Sequence, residues 1–141
     1  MGGINFGRVI LGGLVAGLVV NIGEFLFNGV IMANAMRDWA LRHNFPAEPT
    51  PTFFVVATAL TFVFGIVLVL LYALIRPRCG PGPKTAACAA LIMWFGICIY
   101  CGIIYALMLE QPMNYMAIGL VWCLGEYVIA AVAGAWLYKE T

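Results

Sequence analysis

Charged side chains are scarce in this chain: of its 141 residues, only 9% are Asp, Glu, Lys or Arg. Soluble domains carry about 25% charged residues and about 45–50% apolar ones, whereas 65% of the residues here are hydrophobic. Too few polar residues remain to cover a surface in water, so a soluble enzyme core is excluded. The net charge of +1 gives no general attraction for nucleic acid. Composition therefore predicts a protein embedded in a lipid bilayer.

Histidine is almost absent, and no cysteine lies in the 33–52 or 109–113 connections. The only histidine, His43, is outside the long apolar runs, which excludes bis-histidine haem and the Glu-x-x-His pattern of di-iron bundles from the membrane. Cys98 and Cys101 form a C-x-x-C, but they lie mid-run rather than at a helix N-terminus, where such thiols are activated. Mixed carboxylate and thiolate ligands also suit no common metal centre in a bilayer. We therefore expect no disulfide framework, metal, cofactor or catalytic residue.

Four long apolar runs are what the sequence does contain. Roughly 20 apolar residues cross the hydrocarbon core, so we place membrane spans at about residues 9–32, 53–75, 86–108 and 114–137. Within the outer loop 33–52, the segment 34–44 has helical spacing and ends before three closely spaced prolines. The prediction is a single all-α domain over residues 1–141, a four-transmembrane-helix bundle. A short helix would lie at the membrane interface, anchored by Trp39.

Basic residues predict the orientation of the bundle. Two basic residues fall in the 33–52 loop, and the other five fall at the opposite ends of the spans. The two are Arg37 and Arg42, and the five are Arg8, Arg76, Arg78, Lys84 and Lys139. Cytoplasmic loops carry an excess of Lys and Arg. We therefore expect both termini in the cytoplasm.

Two glutamates lie near the middle of apolar runs that contain no Lys or Arg: Glu24 in the first run and Glu126 in the fourth. An ionisable group in hydrocarbon is costly and rare, which marks these positions as a candidate functional site. Their surroundings are also similar, since Gly17–Phe25 and Gly119–Tyr127 share five of nine residues. The first and fourth helices run in opposite directions, so an inverted repeat would give this pattern. Chance similarity between two apolar segments explains it equally well.

Small and polar residues fall on one face of each predicted helix. Small residues let helices approach, and polar side chains bond between them. The face consists of Gly13, Gly17, Asn21, Glu24 and Asn28 on the first helix, Thr58 and Thr61 on the second, Cys98, Cys101 and Tyr105 on the third, and Gly119 and Glu126 on the fourth. At about 1.5 Å per residue, most of the polar members fall at or outward of the midplane. We predict an intramembrane pocket for a ligand or proton that opens outward beneath the 34–44 helix, with the three glycines as packing positions.

Three interpretations of the glutamates remain open. Removal from water favours a neutral carboxyl, which could simply bond to a neighbouring amide or hydroxyl and hold helices together. The expected partners are Asn21, Asn28, Thr58 and Thr61. Alternatively, Glu24 and Glu126 form a proton- or cation-coupled site, or a site for a partner subunit or lipid. We expect a non-catalytic accessory or assembly subunit of a membrane complex, with other subunits or further copies as partners. The alternative is a small transporter or proton- or cation-linked binding protein.

The architecture of the whole chain resembles known families in outline only. Four spans, a long first outer loop and a last helix rich in small residues at Ile129–Ala135 resemble small bacterial inner-membrane families of unknown function. This resemblance implies a multi-pass protein of the inner, or plasma, membrane. Small multidrug transporters are similar in having four helices and one intramembrane glutamate on the first, but their sequence pattern is absent here. Neither resemblance assigns a role to a residue.

Overall fold

The computed structural model describes residues 3–139, which contain helices and no strand. The helices are α1 (Phe6–Ile31), α2 (Ala33–Arg42), α3 (Pro51–Cys79), α4 (Pro83–Met108) and α5 (Met113–Leu137). Within the described residues, all except α2 are long and apolar enough to cross a membrane. The predicted bundle of four membrane-spanning helices is confirmed at this level. The largest difference from the expected spans is at the end of α3, which ends at Cys79 rather than at residue 75.

Helix ends follow from local chemistry. The Asn5 side chain accepts a hydrogen bond of 3.1 Å from the backbone N–H of Arg8 and caps α1. Thr50 caps α3 by accepting from the Phe53 N–H at 3.2 Å. Pro51 occupies the first turn of α3, where the missing N–H is not needed. In the short connection between α3 and α4, Gly80 and Gly82 adopt positive φ angles of 81° and 133°, which glycine tolerates best.

Two of the long helices change from α-helical to π-helical geometry partway along. The π-helical segments are Phe27–Ile31 at the end of α1 and Phe95–Gly102 in the middle of α4. In a π-helix each N–H bonds to the carbonyl five residues back rather than four. A π turn therefore contains more residues, and the side chains beyond it are rotated around the helix axis. Both segments border the same crevice between α1, α4 and α5.

Glycines bring α1 and α3 into backbone contact. A Cβ added to Gly65 would collide with the Gly13 carbonyl oxygen and the Gly17 backbone, and a Cβ on Gly13 would collide with Ile66. A Cβ added to Gly17 would collide with Phe62. Small residues permit this close approach in membrane helices. The Gly13-x-x-x-Gly17 pattern thus packs α1 against α3 within the chain.

Helix α5 packs antiparallel to α1. Gly12 near the start of α1 contacts Gly134 near the end of α5. At the other end, the Phe27 ring stacks on Trp122, with centroids 5.7 Å apart. This arrangement places the segment 17–25 of α1 opposite the segment 119–127 of α5.

Helix α2 is a separate short helix that packs on the α4–α5 turn. Its buried Trp39 donates a hydrogen bond of 2.9 Å from Nε1 to the Leu109 carbonyl and stacks on Phe45. His43 Nε2 lies 3.7 Å from a Glu110 carboxylate oxygen in the same turn. A helix is therefore present in the segment 34–44, where the sequence predicts one, and its Trp39 side chain packs against the bundle.

Small residues dominate the buried core, while large apolar side chains face outward. Val121 is 73% exposed and Trp136 is 84% exposed. Such a surface is unfavourable in water but normal against lipid tails, where helix packing depends on close contact between small residues. The completely buried alanines are Ala16, Ala86, Ala89, Ala90 and Ala130.

Candidate functional site

Two carboxyls and a thiol converge between α1 and α5. Glu24 projects from α1, and Cys123 and Glu126 project from α5. Residues three apart share a helix face, so the sequence of α5 places its two groups side by side. The antiparallel crossing of α1 then brings Glu24 against them. One carboxylate oxygen of each glutamate and the Cys123 Sγ all lie within 4.8 Å of one another. These three residues are called the carboxyl–thiol cluster below.

Glu24 is held by a chain of hydrogen bonds. The Asn28 amide donates from Nδ2 to Glu24 Oε2 at 2.7 Å. The Tyr115 hydroxyl on α5 donates in turn to Asn28 Oδ1 at 2.8 Å. Asn28 lies in the π-helical end of α1, four residues after Glu24. Four side chains were expected to bond to a glutamate: Asn21, Asn28, Thr58 and Thr61. Only Asn28 does so, and its bond engages only one of the two carboxylate oxygens of Glu24.

The Glu126 carboxyl is buried and poorly satisfied. The residue is 7% exposed, and neither carboxyl oxygen makes a hydrogen bond of normal geometry to residues 3–139. The group lies against the α1 backbone at Gly23 and Glu24, and a side chain at Gly23 would collide with it. Buried polar groups in native proteins nearly always have a partner. An exception therefore requires an explanation, and an ordered water or an ion at the carboxyl is one.

Helix α4 contributes a second thiol beside the cluster. Cys98 is buried and lies next to the Cys123 thiol and the Tyr127 hydroxyl. The remaining cysteines, Cys79, Cys88 and Cys101, are exposed. Glu24, Cys123 and Glu126 are thus the residues that could hold a metal ion, with Cys98 as a neighbouring donor.

Two clefts border the cluster. The polar crevice, of about 260 Å³, lies between α1, α4 and α5 and extends toward the α4–α5 turn at Gln111. The apolar groove, of about 720 Å³, lies between α1 and α5 and has Glu126 in its wall. The other polar residues of the crevice are Glu24, Cys98, Tyr105, Tyr115, Cys123 and Tyr127. No α2 residue lines either cleft, so the 34–44 helix does not cover the crevice.

Several predicted site residues are brought together, and others are not. Glu24, Cys98, Tyr105 and Gly119 line the crevice, although Tyr105 is 61% exposed at its edge. Glu126 meets the crevice residues through the cluster. Neither glutamate side chain faces the lipid.

The amide and hydroxyl groups that were expected to cross between helices mostly bond within their own helix. Asn21 donates to the Gly17 carbonyl at 3.0 Å, and Thr61 donates to the Ala57 carbonyl at 2.8 Å. Thr58, near the start of α3, is exposed. These three residues therefore lie outside the cluster.

The π-helical segment moves Cys101 away from the expected inner face. Regular α spacing puts Cys98, Cys101 and Tyr105 on one face, but the longer turns rotate the side chains beyond residue 95. Cys101 is exposed, whereas Ala106 is buried. The thiol that joins the site is Cys123 instead.

Three residues that the predicted set of site residues did not include take part in the site: Tyr115, Cys123 and Tyr127. Cys123 precedes Glu126 by three residues, and Tyr115 precedes it by eleven. Residues at these spacings lie on the same face of an α-helix, so the spacing on α5 could have placed both in the predicted site.

The two similar segments are not used symmetrically. Gly23 and Gly125 precede the glutamates at equivalent positions. Gly23 contacts the Glu126 carboxyl, whereas nothing lies within 4 Å of a Cβ added to Gly125. A two-fold relation between the segments therefore does not extend to their contacts.

Comparisons with protein-family models, with curated proteins and with solved structures find no match to this chain. The chemistry open to the site depends on its donors: two carboxyls, two thiols and two phenols between three helices. Carboxyls and thiols can exchange protons or bind a cation.

Proposed function

We propose that this chain is a small multi-pass membrane protein that binds a proton or cation between α1 and α5, using Glu24 and Glu126, and links that binding to transport or to a further ligand. One observation carries the proposal. The two intramembrane carboxyls converge, and that of Glu126 is buried without a hydrogen bond of normal geometry in the described structure.

Energetics support a functional interpretation of Glu126. Leaving a buried polar group unsatisfied costs about 1–3 kcal/mol, and more for a charged group. A leucine or alanine at this position would avoid the cost. Intramembrane acidic residues of this kind typically belong to ion or proton pathways. A proton or cation would satisfy the carboxyl.

The clefts support exchange of the bound species. Glu24 lines the polar crevice, and Glu126 lines the apolar groove, so the cluster between them borders both. Exchange with water would occur through the crevice, which extends toward Gln111. Binding at Glu126 would influence whatever occupies the groove.

The orientation in the membrane belongs to the same proposal. Five of the seven basic residues lie at the end of the bundle opposite the α4–α5 turn. With that end in the cytoplasm of a bacterial inner membrane, the crevice opens outward and α2 lies at the outer interface. Accessibility labelling of Cys79, the last residue of α3, tests the arrangement.

A non-catalytic accessory role remains a prediction from the sequence. It requires a defined hetero-complex, whereas a homo-oligomer favours transport. Purification from native membranes, followed by identification of the associated proteins, distinguishes the two.

Infrared difference spectroscopy of the reconstituted protein tests the proton or cation site. A protonated carboxyl has a C=O band that an ionised one lacks. We expect this band to respond to pH or added cations in the wild type, and the response to disappear in Glu126→Gln and to change in Glu24→Gln. The control is Glu110→Gln, because the Glu110 side chain is 82% exposed. A band that is unaffected by pH and cations would leave Glu126 with only a structural role.

A further inference from the structure

We infer that the carboxyl–thiol cluster is a binding site for a thiophilic divalent metal ion of the zinc class, with Cys123, Glu24 and Glu126 as its ligands. The inference rests on the proposed function and names the cation. It differs from the expectation drawn from the sequence, which counted mixed carboxylate and thiolate ligands against a metal site; the structure brings one thiol and two carboxyls together.

The spacing of the donors suits a single ion. Their ligand atoms lie within 4.8 Å of one another. Zinc binds thiolate at about 2.3 Å and carboxylate at about 2.0–2.2 Å in tetrahedral geometry, so the donors of one ion are about 3.3–3.7 Å apart. Movements of up to about 1 Å between the side chains would bring all three donors into contact with one ion.

The state of Glu126 is an independent indication of a missing partner. Its carboxyl is more than nine-tenths buried, is directed toward Glu24 and Cys123, and makes no hydrogen bond of normal geometry to any described residue. A metal ion in the cluster would coordinate this carboxyl. A group held only by helix packing would not need to be a carboxyl.

Glu24 is already oriented as metal-binding carboxylates usually are. Asn28 occupies Oε2 and is itself fixed by Tyr115, which leaves Oε1 for another partner. Hydrogen bonds from outer residues of this kind hold ligand side chains in place and raise metal affinity. The chain Tyr115–Asn28–Glu24 provides this support from both helices.

The donor types select the class of ion. Calcium takes six to eight oxygen ligands, and magnesium prefers six with several waters, which two carboxyls and a thiol match poorly. Thiolate favours zinc and other thiophilic metals. Carboxyls and thiols bind as anions and release their protons to water on binding. With all three ligands ionised, a divalent ion reduces the charge of the site from −3 to −1, which lowers the cost of holding these groups in hydrocarbon. A water from the crevice would complete four-fold coordination.

Cobalt(II) titration of the full-length protein in lipid nanodiscs provides a direct test, since cobalt reports thiolate ligation by a charge-transfer absorption. We expect about one equivalent to bind in the wild type with this band, the band to be lost in Cys123→Ser, and binding to weaken in Glu126→Gln. Tyr115→Phe, which leaves every ligand in place, should lower affinity by roughly tenfold. Cys88→Ser and Cys101→Ser are matched controls, because both thiols are exposed on α4.

A measurement on the unmodified protein covers the case in which a variant does not fold. Zinc should protect Cys123 from a membrane-permeable alkylating reagent, as read by mass spectrometry. Cys79, Cys88 and Cys101 serve as internal controls and should be labelled with or without zinc. Equal labelling of Cys123 in both conditions contradicts the inference.

The outcomes separate this inference from the proposed function. If no thiolate–cobalt band forms but the infrared carboxyl band still responds to pH, the proton site stands and the metal site is wrong. If the band persists in Cys123→Ser, the metal site is also wrong. If neither cobalt nor pH affects the carboxyls, both proposals fail.

Discussion

The substitution Gly23→Ala tests how closely Glu126 is positioned by the backbone of α1. A Cβ at residue 23 would lie against the Glu126 carboxyl, 2.6 Å from its Cδ. Ordinary contacts begin near 3.4 Å, so the carboxyl has to move by about 0.8 Å. That movement is a large fraction of a ligand bond of about 2 Å. Cation binding should therefore weaken in this variant by about tenfold, or about 1.4 kcal/mol.

Stability should change much less than binding in this variant. The atoms that the new methyl meets are at the end of a flexible side chain, which can rotate, and alanine is favoured over glycine in a helix by about 1 kcal/mol. We expect the free energy of unfolding to remain within about 1 kcal/mol of wild type. Denaturant unfolding in mixed micelles and cobalt or zinc titration measure the two quantities on the same preparation.

Gly125→Ala is the matched control. Gly125 occupies the equivalent position in the similar segment of α5, but a Cβ there meets nothing within 4 Å. The change in helix propensity is the same in the two variants, so their difference isolates the contact with Glu126. If both variants bind cations and unfold alike, the carboxyl does not rest against Gly23 and the geometry of the site is wrong.

Three further substitutions, one of them with a matched control, test other parts of the structure. Gly65→Ala places a methyl against the backbone of α1, so we expect the free energy of unfolding to fall by about 1–3 kcal/mol. Gly96→Ala is the control, because a Cβ there meets nothing within 4 Å, and it should cause no such loss of stability. Trp39→Phe removes the hydrogen bond to the Leu109 carbonyl and should cost about 1 kcal/mol, and faster amide hydrogen exchange in α2 would show that this bond anchors it. Thr58→Val should leave cation binding unchanged, because Thr58 lines neither cleft; a loss of binding would place this residue in the site after all.

The fold was largely predictable because each membrane-spanning helix is an uninterrupted apolar run. Length and hydrophobicity alone define such helices, and proline and glycine mark the turns, as at Pro83 and Gly80. The short α2 helix was predictable from its amphipathic spacing. The sidedness of the bundle and its partners remain predictions.

The candidate site was only partly predictable because face assignments assume regular α-helical spacing. This assumption holds for α5, where the predicted face through Gly119 and Glu126 matches the structure. It fails in α4 after residue 95, where π-helical turns rotate Cys101 outward. A polar side chain can bond to its own helix, as Asn21 does, or to a neighbouring helix. The outcome also depends on the distance between the two helices, which cannot be read from the spacing of residues in the sequence.

The small-residue core has a consequence for how this protein can vary. Around each helix, one side contacts neighbouring backbone and the other contacts only lipid tails. At Ala86 or Ala130, which are completely buried, even one additional methylene would separate two helices. At Val121, by contrast, any apolar side chain would serve equally well. Two chains could therefore differ at most lipid-facing positions and retain the same bundle, provided that their glycines and alanines occupy the same helix faces.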